Sequence, residues 1–185
     1  MKNIQIEILL VIILITTITF AQQPKNSETR TFIDNAEITQ VNRDWNNKAE
    51  FISGLNEIVS FFPIEVIDLK TNSKIKALQM DMNVNSQGVN YFKTSWIDLS
   101  EVDEFIYFIE QYVIPNLNNK AGSKQSTTYI FNSKEIQFSF GIGNASKRIS
   151  IYLKDLGVTD YKNYFWTESQ VNKFPVLLDM LKKLK

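Results

Sequence analysis

The sequence predicts an α+β domain, with antiparallel sheet and two helices in strands–helix–strands–helix order. Three observations carry this. Apolar residues alternate along 74–84 and again along 136–153, which marks strands. A stripe of Val102, Phe105, Ile106, Ile109, Tyr112 and Val113 marks a helix between those two sets. A second stripe, Val171, Phe174, Leu177, Leu178, Leu181 and Leu184, marks a C-terminal helix. One continuous sheet with both helices on one face would bury every stripe, and the repeated order of elements raises an internal duplication.

The chain opens on a different kind of segment. Residues 8–20 are an apolar run of 13 residues, preceded by Lys2 and closed by Ala21. A basic start, a short apolar core and small residues at Thr19 and Ala21 form a secretory signal peptide, 1–21. A helix of that length rises about 20 Å, against a hydrocarbon core of about 30 Å, and Glu7 blocks its backward extension. Cleavage after Ala21 is therefore expected, with no stable membrane anchor left behind. Export, to periplasm or medium, follows. Residues 22–31 are polar and aperiodic and read as a flexible lead. The remainder, 32–185, is read as one domain.

Within that domain residues 51–62 carry a conflict. Phe51, Ile52, Leu55, Ile58, Val59 and Phe62 share a helical face, yet Gly54 interrupts it and Ile58–Phe62 is rich in strand formers before Pro63. The reading adopted is a strand at 57–62. Ile64–Leu69 and Lys74–Met82 are two further strands joined by a Lys70–Ser73 turn, with Leu78, Met80, Met82 and Val84 facing the core. Asn83–Asn90 reads as a polar loop and 91–97 as the next strand, with Trp96 on a core face beside Phe92. The helix at 100–114 is capped by Asp98 or Ser100 and ended by Pro115. Thr127–Phe131 is a strand. Ile136, Phe138 and Phe140 alternate on another, and Ile149, Ile151 and Leu153 on a third, with Gly141–Ser146 as the turn between those two. A loop runs from Asp155 to about Thr167, and the C-terminal helix starts or kinks at Pro175.

Composition limits the chemistry. The chain has no His and no Cys, and its 20 basic and 20 acidic residues cancel. Ser–His and Cys nucleophiles are excluded in their common forms, and zinc loses its preferred ligands. No basic cluster stands ready to displace counterions, so no nucleic-acid partner is expected. Gly141-x-Gly143 lacks a third glycine and lies in a turn, which argues against a dinucleotide. No cofactor is expected.

The segment Thr94-Ser-Trp-Ile-Asp98-Leu-Ser-Glu101-Val-Asp103-Glu-Phe-Ile106 follows a strand and opens a helix. It resembles a pattern in uncharacterised small exported proteins of Bacteroidetes-type bacteria, where an Ile-Asp-x-x-Glu-(Ile/Val)-Asp run opens the central helix. The hairpin at 64–82 and Gly54 are also similar, and the resemblance spans about residues 50–184. That family carries no assigned activity, so the resemblance implies location and layout and no chemistry.

Four constellations remain. Asp98, Glu101, Asp103 and Glu104 read as helix-capping acids, with a calcium site or catalytic carboxylate pair as the functional alternative. Asp81, Asn83 and Asn85 begin with calcium-loop spacing, but Ser86 and Phe92 stand where Gly and Glu are required. Ser123-Lys124 and Ser133-Lys134 have the residue types of Ser–Lys hydrolases. The aromatic stretch Tyr161, Tyr164, Phe165 and Trp166 is the best candidate binding surface, the other reading being a lid folded over the core. Arg148 and Tyr152, on the outward face of the late strands with Gln137, Ser139 and Ser150, form a polar stripe that is a further candidate surface, the other reading being a solvated sheet face. The function expected is an exported, non-enzymatic binding module for a protein or carbohydrate ligand. The alternative is a carboxylate-based hydrolase.

Overall fold

Among the residues described by the computed structural model, 26–154 and 163–185, nine strands divide into two antiparallel sheets accompanied by three α-helices. In chain order these are α1 (Glu28–Asn35), β1 (Thr39–Arg43), β2 (Ala49–Ile52), β3 (Ile58–Asp68), β4 (Lys74–Ser86), β5 (Val89–Asp98), α2 (Leu99–Phe108), β6 (Thr127–Asn132), β7 (Ile136–Ile142), β8 (Lys147–Leu153), β9 (Tyr164–Thr167) and α3 (Phe174–Leu184). The first sheet runs β1–β3–β4–β5 with β2 also on β3, and the second runs β6–β7–β8–β9. The α+β class and antiparallel pairing are as expected. The single continuous sheet is not, and a third helix precedes it. The leader and the lead as far as residue 25 lie outside the described residues.

The two sheets share one core. Phe61, Leu78, Met80 and Met82 from the first meet Phe138, Phe140, Ile149, Ile151 and Phe165 from the second, with Phe105 of α2 and Phe174 of α3. Phe138 is the hub. Its ring lies 5.3 to 6.4 Å from those of Phe51, Phe61, Phe105, Phe108 and Phe174, distances at which edge-to-face aromatic packing is favourable.

Several expected boundaries shift, each for a local reason. The strands expected at 57–62 and 64–69 are one strand, β3. Pro63 sits inside it because its carbonyl accepts from Asp44 N–H at 3.0 Å, which turns its missing donor toward the gap between β1 and β2. The loop expected at 83–90 is instead a tight hairpin. Gln87 and Gly88 both adopt positive φ (55° and 79°), the two-residue geometry that matches strand twist. Trp96 is only half-buried and Phe92 is exposed, because their shared face is the outer one. The central helix continues past Phe108 as a π-turn, Ile109–Val113, and a short 3₁₀ turn containing Pro115. The wider turn keeps Ile109 and Val113 inside but leaves Tyr112, expected on the apolar stripe, 40% exposed.

The largest departure is the start of the domain. The polar lead was expected to reach residue 31, yet Ser27 caps α1 and both Ser27 and Thr29 are fully buried. Phe32 and Ile33 of α1 pack on Phe62, Ile64, Val66 and Ala77, a second, smaller core on the outer face of the first sheet. An eight-residue helix is marginal alone, and two carboxylates hold this one. Asp98 accepts from Glu28 N–H (2.8 Å), Thr29 N–H (3.0 Å), the Thr29 hydroxyl (2.8 Å) and Lys134 Nζ (2.7 Å). Glu135 accepts from the Ser27 hydroxyl (2.6 Å), from Arg30 Nε and Nη2 (2.8 and 3.0 Å) and from Trp96 N–H (3.1 Å). Asp98 is also the N-cap of α2, where Glu101 reaches back to Asp98 N–H at 3.1 Å. One carboxylate thus answers the positive ends of two helices.

Burial opposes charge on Asp98, but Lys134 and the backbone donors of Glu28 and Thr29 outweigh it and hold its pKa below the ordinary 3.8. Burial raises Glu101 above its ordinary 4.5, with the neighbouring Asp98 charge adding to it. The unfolded chain therefore protonates Asp98 before the folded chain does. The stability from Asp98 is complete above about pH 3.8 and is lost as pH falls through its lower folded value. Glu101 acts in the opposite sense, favouring the fold as it takes up its proton above pH 4.5. Thermal unfolding across pH is expected to show acid destabilisation below about 3.8, and Asp98→Asn is expected to flatten that limb and lower stability at neutral pH by about 2–4 kcal/mol.

Candidate functional site

Strand alternation builds the candidate surface. On β8 the residues Ile149, Ile151 and Leu153 point into the core, so Arg148, Ser150 and Tyr152 point out. On β9 the buried Phe165 and Thr167 leave Tyr164 and Trp166 on the same outer side. The ladder sets Ser150 beside Trp166 and Tyr152 beside Tyr164, then continues to Gly141, Ser139 and Gln137 on β7. The outer face of the second sheet is therefore a polar grid edged by Trp166 and two tyrosines.

Residues 164–167, expected in a loop, are a strand, because Tyr164, Phe165, Trp166 and Thr167 alternate and pair with β8. The two readings of the aromatic stretch separate residue by residue. Phe165 is core, fully buried, whereas Trp166 is 39% exposed and Tyr164 half-buried. Tyr161 lies outside the described residues.

Contacts fix the surface. The Arg148 guanidinium lies 4.4 Å from the centre of the Trp166 ring, and Arg148 Nη2 donates to Glu168 Oε1 at 2.9 Å. The Tyr164 hydroxyl donates to Ser150 Oγ at 2.9 Å, and Gln137 Nε2 donates to Asn132 Oδ1 at 3.0 Å. The Trp166–Arg148–Glu168 stack borders an open cleft of about 910 Å³, which Glu168 itself lines with Lys147, Ser169, Asn172, Leu117 and Val171. Glu168 and this cleft were not read from the sequence. Glu168 lies 20 residues from Arg148, and only the β8–β9 register joins them.

Asp98 and Glu101 belong to the buried clamp, and each Glu101 oxygen accepts one backbone N–H, from Lys134 (2.7 Å) and Asp98 (3.1 Å). Asp103 and Glu104 are exposed on α2. Ser133 and Lys134 do not face each other. The Ser133 hydroxyl accepts from Ile136 N–H at 2.9 Å within the β6–β7 turn. Burial works against the Lys134 charge, but its ion pairs with Asp98 and Glu28 raise its pKa, which suits a structural cation and not a proton acceptor. Ser123 and Lys124 are exposed in the segment before β6. Asp81, Asn83 and Asn85 lie along β4, and Asp81 accepts from Gln79 Nε2 and the Thr94 hydroxyl, each at 2.8 Å. Among the described residues no group of three or more acidic side chains converges on a point.

No protein-family model matches this chain, and no curated protein matches it.

The Arg148–Glu168 pair is half in solvent, with exposures of 50% and 38%. Such pairs contribute about 0.2–1 kcal/mol. Arg148→Ala is accordingly expected to change unfolding free energy by less than about 1 kcal/mol, checked by urea denaturation. A larger loss would make this stack part of the fold's support and not a free surface.

Proposed function

We propose that this chain is an exported, non-enzymatic binding module whose outer second sheet, centred on Trp166, Arg148, Tyr164 and Tyr152, receives a protein partner. The observation that carries the reading is the Trp166–Arg148–Glu168 stack, whose Glu168 also lines an open cleft of about 910 Å³, on strands β8 and β9 whose opposite face is packed in the core. Trp, Tyr and Arg are the residues enriched at the energetic centres of protein interfaces. The guanidinium lies over one face of the indole, which halves the platform a sugar ring would stack on. A protein partner fits this surface better than a carbohydrate for that reason.

The apolar run at 8–20 and the resemblance over 96–106 support export. Expression with the native leader is expected to yield a processed chain beginning at Gln22, read by intact mass, with pyroglutamate 17 Da lighter accepted as the same terminus. Retention of residues 1–21 in the cytoplasm would remove the exported part of the reading.

For binding, a photo-crosslinking phenylalanine at position 166 in the exporting host is expected to trap a discrete protein. Arg148→Ala or Tyr164→Ala is expected to cut the trapped fraction about tenfold, or about 1.4 kcal/mol. Trapping that ignores both substitutions, or glycan binding lost in both variants without any trapped protein, would overturn the protein-partner reading.

A further inference from the structure

The far edge of the second sheet carries an inference independent of that surface. Strand β6 pairs only with β7 among the described residues. The parity of that ladder fixes which backbone groups are left outside. Ser133 N–H donates to the Ile136 carbonyl at 2.9 Å, so these two residues form a hydrogen-bonded pair. Such pairs alternate along an antiparallel ladder. Phe131–Phe138, Tyr129–Phe140 and Thr127–Ile142 are then the bonded pairs. The N–H and carbonyl of Thr128, Ile130 and Asn132 turn away from β7, toward the open edge. The neighbouring ladder keeps the same phase, with Lys154 N–H on the Glu135 carbonyl at 2.8 Å and Gly143 N–H on the Ser146 carbonyl at 2.8 Å.

Exposed edges are usually blunted by charge, proline, a bulge or a cover. Strand β6, Thr127-Thr-Tyr-Ile-Phe-Asn132, has six residues and none of the first three. The edge of β5, by contrast, is engaged, since Glu135 takes the Trp96 N–H at 3.1 Å. Strand β9, at the other end of the second sheet, is four residues long. On β6 the Ile130 side chain is 52% exposed. On the inner side of the edge the rings of Tyr107, Tyr112 and Tyr129 run in a continuous line, Tyr107 to Tyr112 at 6.0 Å and Tyr112 to Tyr129 at 5.6 Å. The π-turn that brings Tyr112 outward completes this line.

We propose that β6 is a self-association edge, on which a second copy of this chain adds its own β6 antiparallel across a two-fold axis at Ile130. In that register Ile130 faces Ile130 of the second copy, and Thr128 faces Asn132 in both directions. Every outward N–H and carbonyl of the three residues finds a partner, because all three positions are in bonded phase. The outward sequence Thr–Ile–Asn places polar against polar and apolar against apolar when reversed on itself. No charge on β6 repels a second copy or selects a different chain. Tyr129 meets Phe131 across the axis, and Tyr107 and Tyr112 widen the contact. The area is small beside the roughly 1,200–2,000 Å² of stable complexes, so the dimer is concentration-dependent.

The test is sedimentation of the chain purified after expression with its leader, over a wide concentration series, with amide hydrogen exchange at both ends of it. The mass is expected to rise from one copy to two, with the amides of Thr128, Ile130 and Asn132 slowing in step. Ile130→Lys and Ile130→Pro are both expected to move the transition at least tenfold higher in concentration. Neither removes a β6–β7 hydrogen bond, so the circular dichroism melt is expected to keep its midpoint. The lysine variant preserves the test if the proline variant fails to fold. Arg148→Ala is expected to leave the dimer intact, which separates this edge from the Trp166 surface. A single copy at every concentration, a dimer indifferent to both Ile130 substitutions, or a dimer without slowed exchange at those three amides would overturn the proposal. Capture of another protein's extended segment on β6 in place of a second copy would overturn it too.

Discussion

Each sheet has two faces, but the two sheets share one main core, and that mismatch organises everything outside it. The inner faces close on each other around Phe138. On the outside the sheets differ. The second sheet turns out polar residues, Gln137, Ser139, Arg148 and Ser150, and needs no cover. The first sheet turns out Phe62, Ile64, Val66 and Ala77 at one end, and these require one. Helix α1 supplies it with Phe32 and Ile33, yet α1 has only eight residues and cannot persist unaided. The buried acids Asp98 and Glu135 are the answer to that weakness, and the basic residues Lys134 and Arg30 are the answer to the burial of the acids.

Periodicity made much of this legible. The alternation of Leu78, Met80, Met82 and Val84, of Ile136, Phe138 and Phe140, and of Ile149, Ile151 and Leu153 reports a local property, side-chain direction along one strand, and all of these residues are buried. The stripes of α2 and α3 were legible for the same reason. What stayed hidden depends on residues far apart. The polarity of Ser27, Glu28, Thr29 and Arg30 resembles that of a tail. Nothing local shows that their donors meet carboxylates 69 to 108 residues away. Pro63 reads as a breaker unless the direction of its missing N–H is known, and that direction is set by the gap between β1 and β2. The split into two sheets is likewise a matter of pairing partners, which alternation does not specify.

The candidate surface was half legible. Tyr164, Trp166, Tyr152 and Arg148 were found from residue type and outward alternation, and the register puts them on one face. The sequence places Tyr164 and Trp166 in a loop because a four-residue strand, Tyr164–Thr167, is too short for alternation to stand out. Glu168 had no signal at all, since a lone acid after an aromatic run becomes informative only when β8 brings Arg148 alongside. The acidic cluster shows the reverse error. The sequence marks Asp98 as a cap for one helix, and the structure gives it two.

That double duty has a consequence for the order in which the chain matures. Synthesis runs from the amino end, and α1 is among the first parts of the described chain to be made. Its anchors, Asp98 and Glu135, follow some 70 and 108 positions behind. Until those carboxylates are in place the eight residues of α1 have nothing to dock on and do not persist as a helix. The same long-range clamp that fixes α1 in the finished protein thereby delays it, so that the first element made is among the last to set.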